Sequence, residues 1–330
     1  MPRRRRVIVQ GYPYEVIPRA RESLPLPPNE ITNEIRRGIF ARAQRDEKLY
    51  LCNLVCMNSH DHMQVVPQKP KDLPKFYCEV LKKTTDSIRT LSGQKSLRIW
   101  EDRASVMLLA SLEDNINRLV YLYCNPARAG LSDSIDSYRG ISSWDAFRSC
   151  EPSVEAKVEI PSAWYRVAAL PSIGLKGLSR EADRAQLIKL KASKDKEEHT
   201  LVFEPFAWLK CFGITDPQEI EAIRQRVIRE VYAREAEYRA EREKKKLPAM
   251  NPGRLQGVAY LKPHVPKKKE RKIFLICSDK IQRIRWITFM DQVDEQCCEC
   301  YQLAKAGKPC KWPPGTFIPW LPPTEAIEFE

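Results

Sequence analysis

The alternation of strand-like and helix-like segments in the first 130 residues restricts the possible folds of this chain more than any other feature. Segments rich in β-branched and aromatic residues predict strands at 7–19, 50–57, 61–66 and 97–110. Apolar residues at helical spacing predict helices at 31–49, 73–90 and 112–124. The resulting order, β-α-β-β-α-β-α, contains the split β-α-β arrangement of ferredoxin-like sandwiches. We therefore predict an α+β fold in which helices cover one face of a mostly antiparallel sheet.

The last of these predicted helices has recognisable ends. Ser111 is placed to cap its first turn, with Asp114 at the third helical position. Asn125 and Pro126 predict its end, because proline lacks an amide hydrogen and disfavours helical backbone in the residue before it.

The sequence pattern changes after the Ser-Ser-Trp segment at 142–144, and we predict two parts, 1–150 and 151–330. The second part is predicted to be mainly helical, with basic runs and a proline-rich tail. Its clearest helix begins at Asp216 and Pro217, which supply an N-cap and a first helical residue.

Composition narrows the class of protein. The formal net charge is +13, which favours an acidic partner, with nucleic acid first and an anionic membrane surface second. No stretch approaches the roughly 20 apolar residues that cross a bilayer, so an integral membrane protein is not expected. The basic start of the chain lacks the apolar run of a secretory signal, and we therefore predict a cytoplasmic protein.

Two of the four histidines form the pattern His60-Asp61-His62 at the start of a predicted strand. Side chains two positions apart on a strand point to the same face, so both imidazoles are able to reach one metal ion. For so short a pattern taken alone, local hydrogen bonding at a turn is the favoured interpretation.

Tyr121 and Asn125 lie four residues apart and share one face of the predicted helix. If that face meets the histidines, the site contains two imidazoles, an amide oxygen and a phenol. Such ligands suit Mn²⁺ or Mg²⁺, and the tyrosine is a candidate covalent nucleophile. By itself Tyr121 is better interpreted as an ordinary core tyrosine of an amphipathic helix, and Tyr123 is a rival that points to a different face.

Three segments together resemble the REP-associated tyrosine transposases, which belong to the single-tyrosine HUH transposases. They are VCMNSHDHMQVV at 55–66, LRIWEDRASVML at 97–108 and LVYLYCNPARAGL at 119–131. The resemblance covers about residues 3–145, and its most specific motif, N-P-x-R-A-G-L, is complete at 125–131.

The resemblance implies a role for each matching residue. Tyr121 would be the nucleophile, and His60, His62 and Asn125 would bind the metal ion. The residues implied in DNA binding are a basic N-terminal arm, the last position of an F-x-x-R motif and the arginine of the final motif: Arg3, Arg4, Arg5, Arg6, Arg103 and Arg128.

By this resemblance, the chain would be a DNA transposase that nicks and rejoins single-stranded DNA beside REP-type palindromic hairpins, using Mg²⁺ or Mn²⁺ and a 5′-phosphotyrosine intermediate. It would be a bacterial, nucleoid-associated protein without a membrane partner, acting as a monomer or homodimer. Two alternatives share the fold: a catalytically silent DNA-binding regulator, and an HUH replication initiator or relaxase.

This chain departs from the family pattern at three positions. Asp61 stands where an apolar residue is usual and, by alternation, would point away from the metal into a covered layer. Ser59 stands where the family has asparagine, and Val120 where it has arginine.

A cysteine cluster near the end of the chain is a second candidate metal site. Its spacing lacks two clean C-x-x-C pairs, so we favour a metal-free helix end over a zinc site. The cluster consists of Cys297, Cys298, Cys300 and Cys310.

Overall fold

The computed structural model describes residues 6–21, 26–46, 48–101, 103–260 and 273–318. The first 130 residues contain strands and helices in the predicted order β-α-β-β-α-β-α. They are β1 (Tyr14–Ile17), α1 (Glu30–Asp46), β2 (Leu49–Cys56), β3 (Asp61–Pro67), α2 (Asp72–Ser92), β4 (Ser105–Leu109) and α3 (Leu112–Arg128). The strand predicted at 7–19 is shortened to β1, because Pro13 and Pro18 flank it and lack the amide hydrogen that a ladder needs.

These four strands form one antiparallel sheet in the order β2-β3-β1-β4. A fifth short strand, β7 (Leu275–Ile276), pairs parallel with β4 at the edge. The mostly antiparallel sheet is therefore as predicted, and its final strand comes from the second part of the chain.

Helices cover both faces of this sheet, so the prediction of a single covered face is wrong. Helices α1 and α2 pack on the face that carries Val65, whereas α3 packs on the face that carries Val66. The physical reason lies in β3, which is buried at every position. Two covering layers are needed to shield it.

The second part of the chain is helical, as predicted, but it also contains a two-stranded sheet. Strands β5 (Val158–Tyr165) and β6 (Lys196–Phe203) pair antiparallel and pack on α1. The helices are α4 (Trp144–Ser149), α5 (Arg180–Ala192), α6 (Pro217–Lys244), α7 (Pro252–Gln256) and α8 (Lys280–Lys305). Asp216 caps α6 by accepting a hydrogen bond from the Glu219 amide at 2.9 Å, as expected from the sequence.

The hydrophobic packing runs across residue 150. Tyr165 and Phe203 are buried in the cluster that contains α1 and α2, and Trp208 and Val231 in the cluster that contains α3. The division into 1–150 and 151–330 therefore stays a prediction about functional parts. Among the described helices, none has both the length and the apolar character needed to cross a membrane.

Helix α3 positions the site. It begins beside the carboxyl end of β4, and its 17 residues extend about 25 Å at 1.5 Å per residue. Its last turns therefore reach the opposite end of the strands, where β3 begins. The second part of the chain holds both ends of α3, because the Ser278 amide donates to the Asp114 carboxylate at 3.1 Å and Arg242 donates to the Ala127 carbonyl.

Candidate active site

His60 and His62 lie together at the start of β3, at the end of the sheet that the last turns of α3 reach. His62 is buried within β3, and His60 forms a β-bridge with Arg19 just before that strand. The centroids of the two imidazole rings are 4.9 Å apart. The two rings are therefore close enough for their nitrogens to serve one ion.

Asp61, the unusual residue between the histidines, points to the other face of the sheet. Its carboxylate lies 2.6 Å from the guanidinium of Arg36 on α1, and both side chains are buried. A buried charge is tolerated when it is paired. Asp61 therefore has a structural partner in the α1 layer and leaves the histidine side of β3 free.

A buried carboxylate holds the ring of His62. Glu15, on β1, accepts from Nδ1 of His62 at 2.8 Å. An acceptor at Nδ1 fixes the proton there and leaves the lone pair on Nε2. That Nε2 is buried and has no hydrogen-bond partner among the residues described.

Tyr121 projects from α3 towards these histidines. Its ring centroid lies 5.8 Å from that of His62. The Arg118 guanidinium carbon lies 4.1 Å from the centroid of the Tyr121 ring, and Arg128 donates to the phenolic oxygen at 2.5 Å. Tyr121 is therefore half-exposed beside two cations and the ring of His62.

Asn125 is oriented by the proline that follows it. Helix α3 does not end at 124 as predicted, but continues through Pro126 to Arg128. Pro126 has no amide hydrogen to give the Leu122 carbonyl, and the Asn125 side-chain amide donates to that carbonyl instead, at 3.4 Å. The amide oxygen of Asn125 is thereby left to face Arg128, which donates to it at 3.0 Å.

These residues fit a divalent cation. Nε2 of His62 is buried and has no hydrogen-bond partner among the described residues, so its lone pair is available to bind a metal ion. Burial and the neighbouring His62 lower the pKa of His60 well below its usual value, so that ring is neutral near pH 7. With the oxygen of Asn125, the ligand set is the mixed nitrogen and oxygen type that suits Mg²⁺ or Mn²⁺.

The cysteine cluster lies on and just after α8, and the preference for a metal-free helix end stays a prediction. In the described part of the chain, no group of three or more His, Cys, Asp or Glu side chains is placed to hold an ion. Cys297 and Cys300 are buried on α8, whereas Cys298 on the same helix is exposed. Cys300 is close to both Cys310 and Cys297, whereas Cys298 is exposed to solvent.

Tyr123, the rival tyrosine, lies on another face of α3. It is fully buried and donates to Asn53, and its oxygen lies 3.0 Å from that of Ser143. Burial raises the pKa of its phenol far above the usual value. Tyr123 therefore belongs to the packed interior.

The arginines implied in DNA binding fall into separate groups. Arg128 lies in the site itself, whereas Arg6 donates to Tyr77 on α2 and to the Ala104 carbonyl. Arg103 is exposed near Tyr77; burial raises the pKa of that phenol, and the charges of Arg6 and Arg103 lower it. Arg3, Arg4 and Arg5 lie outside the described residues.

Two residues at the site, Glu15 and Arg118, were not among the predicted ones. A local signal existed for each. Glu15 is a charged residue within an apolar strand, which is unusual unless it is paired. Arg118 lies three positions before Tyr121 and therefore shares its helix face.

Comparison with known proteins adds a distant structural relation. No protein-family model matches the chain, and no curated protein matches it. A solved structure of a REP-associated tyrosine transposase bound to a REP hairpin is similar to it, with 19% sequence identity and a TM-score of 0.37. The match covers 44% of this chain and 84% of that protein. A likeness at this level carries no statement about activity.

Proposed function

We propose that this chain is a metal-dependent enzyme that nicks and joins single-stranded DNA, with Tyr121 as its nucleophile. The observation that carries the proposal is the buried, unpartnered Nε2 of His62, whose ring lies beside Tyr121. Burial of an unpaired polar atom is costly, and a metal ion bound at this nitrogen would offset that cost.

His60, His62 and Asn125 would hold Mg²⁺ or Mn²⁺. When bound, such an ion supplies polarisation of the scissile phosphate and neutralises charge that develops on it. The ligands themselves contribute neutral imidazoles and a fixed amide oxygen. Arg128, which now donates to both Asn125 and Tyr121, would gain a phosphate oxygen as an alternative acceptor.

In the proposed step, the phenolic oxygen of Tyr121 attacks phosphorus and the bond from phosphorus to the 3′ oxygen breaks. The phenol loses its proton and the departing 3′ oxygen gains one, so a 5′-phosphotyrosine and a 3′-hydroxyl result. Arg118 and Arg128 place positive charge where the negative charge develops. Because the new bond retains the phosphodiester energy, attack by a second 3′-hydroxyl joins strands without another energy source.

The proposed substrate is single-stranded DNA beside a palindromic hairpin, as the motifs at 55–66, 97–108 and 119–131 suggest. The net charge of +13 favours a polyanion. With such a substrate the protein would act as a transposase in DNA transposition and recombination. The regulator and the replication initiator or relaxase become outcomes of the experiment.

The test is covalent capture of DNA. The protein is incubated with Mn²⁺ and hairpin-bearing single-stranded oligonucleotides labelled at the 3′ end, and adducts are resolved on a denaturing gel. We expect a labelled adduct from the unchanged protein and from Tyr50→Phe, a control at a half-buried tyrosine on β2. We expect none from Tyr121→Phe, although it still binds DNA.

An adduct from Tyr121→Phe at the level of the unchanged protein would refute the assignment. DNA binding without any adduct from the unchanged protein would favour a silent regulator. Adduct formation that needs an origin-like sequence and no hairpin would favour a replication initiator or relaxase.

A further inference from the structure

Glu15 is the most deeply buried acidic residue in contact with the site. It lies on the central strand β1, between Tyr14 and Val16, and only 1% of its surface is exposed. A carboxylate in such a position is costly unless charged partners or hydrogen-bond donors surround it. Glu15 has two such partners, His62 and Arg118.

The two oxygens of Glu15 contact different parts of the site. Oε1 lies 2.8 Å from Nδ1 of His62. Oε2 accepts from Nε of Arg118 at 2.7 Å and lies 2.5 Å from Nη2 of the same guanidinium. The carboxylate is therefore an acceptor shared by a histidine and an arginine.

Arg118 carries this contact on to Tyr121. Its guanidinium carbon lies 4.1 Å from the centroid of the Tyr121 ring, within the range of a cation–π contact. Contact of Nε and Nη2 with the same oxygen of Glu15 restricts the plane of the guanidinium. Glu15 thus holds the guanidinium of Arg118 in place, and the guanidinium in turn limits how the Tyr121 ring can tilt.

We infer that Glu15 is a positioning residue that sets both the open nitrogen of His62 and the ring of Tyr121 through a single carboxylate. The inference rests on the proposed function. Glu15 touches neither the DNA nor the ion in this role. It acts through His62, by fixing the proton on Nδ1, and through Arg118, by holding the guanidinium over the phenol.

Glu15 has two arms, its contact with His62 and its contact with Arg118, and the loss of each predicts a different defect. This difference separates a positioning role from a purely structural one. Glu15→Gln keeps the size of the side chain but removes its charge. We expect it to weaken Mn²⁺ binding to the DNA-free protein about tenfold or more, and to slow adduct formation even at saturating Mn²⁺. Arg118→Met should slow adduct formation at saturating Mn²⁺ while leaving Mn²⁺ affinity within about twofold, since it breaks only one arm.

Mn²⁺ binding is measured by calorimetry or electron paramagnetic resonance, and the adduct rate by single-turnover labelling. A matched control is the surface pair between Glu113 and Arg226, in which two guanidinium nitrogens donate to the two carboxylate oxygens. Glu113→Gln and Arg226→Met should leave both measurements unchanged. Each variant is compared by circular dichroism with the unchanged protein.

Two results would overturn the inference. One is Glu15→Gln with Mn²⁺ affinity and adduct rate both unchanged. The other is Arg118→Met with a normal adduct rate, and this result decides the matter even if Glu15→Gln does not fold. If the unchanged protein binds Mn²⁺ but forms no adduct, the proposed function fails while the His62 arm is still tested by Mn²⁺ binding alone.

Discussion

Helix α3 carries a tyrosine on each of two faces, and the surroundings of the two phenols differ. Tyr123 points inward, where Asn53 and Ser143 satisfy its hydroxyl and aromatic rings surround it. Tyr121 points to the edge of the sheet, where it meets two guanidinium groups and the ring of His62. Helix α3 thus presents an open face at Tyr121 and a packed face at Tyr123, two residues further along.

The comparison shows how the polar groups of a buried region separate into two kinds. On the packed face, the hydroxyl of Tyr123 has partners in the strands and loops around it. On the open face, Nε2 of His62 has none within the described chain, although Nδ1 of the same ring is firmly held. A ring fixed on one side and open on the other is what ligation requires.

The packed face should respond most strongly to loss of its hydroxyl. Tyr123→Phe removes a donor from Asn53 and should lower the free energy of unfolding by about 2 kcal/mol, measured by urea denaturation. Tyr121→Phe should change it by less than about 0.5 kcal/mol. Adduct formation should show the reverse pattern, with Tyr123→Phe active wherever it is folded. Equal destabilisation by the two variants would erase the distinction between the faces.

The contribution of α6 to the free energy of unfolding, on the packed side of α3, should depend on pH. Glu235 on α6 is fully buried, accepts from the Ile135 amide at 2.6 Å, and burial raises its pKa from 4.5 to about 7. Because its pKa is higher in the folded state, it contributes stability that is complete below the unfolded pKa and is lost as the pH rises through about 7.

The test compares unfolding free energies at about pH 5.5 and pH 8. Glu235→Gln should reduce the loss of stability over this range by about 1–2 kcal/mol. Glu241→Gln, at an exposed position of the same helix, should leave the loss unchanged. The same pH dependence in the unchanged protein and in Glu235→Gln would contradict the assignment.

The open face depends on the orientation of Asn125. Pro126→Ala restores an amide hydrogen for the Leu122 carbonyl and so releases the side-chain amide of Asn125. We expect adduct formation about tenfold slower, while thermal stability stays equal or rises because a proline leaves the helix interior. Pro217→Ala, at the first position of α6, should leave the adduct rate unchanged. An unaltered rate in Pro126→Ala would show that the proline does not orient Asn125.

Local patterns predicted the features that depend on neighbours in sequence. Strand and helix periodicity predicted the order of the first seven elements, and helical spacing placed Tyr121 and Asn125 on one face. Ser111 and Asp114 form the expected cap. The rule that proline ends a helix failed at Pro126, because a side chain took over the carbonyl that the proline left free.

Contacts between distant residues could not be predicted in this way. Glu15 and Arg118 are 103 positions apart, and Arg36 on α1 meets Asp61 on β3 from 25 positions away. Periodicity indicates which face a residue occupies, but it does not identify its neighbour in the next element. The second covering layer was missed for the same reason, since periodicity does not tell that α3 packs on the face opposite to α1 and α2.

The anchoring of α3 at both ends has a consequence for the timing of synthesis. The carboxylate of Asp114 receives the Ser278 amide, a residue 164 positions further along the chain. On the ribosome, α3 therefore emerges well before the partners that fix its ends. Its described surroundings are complete only after translation has passed residue 278, and until then a nascent chain carries the helix of Tyr121 without its final support.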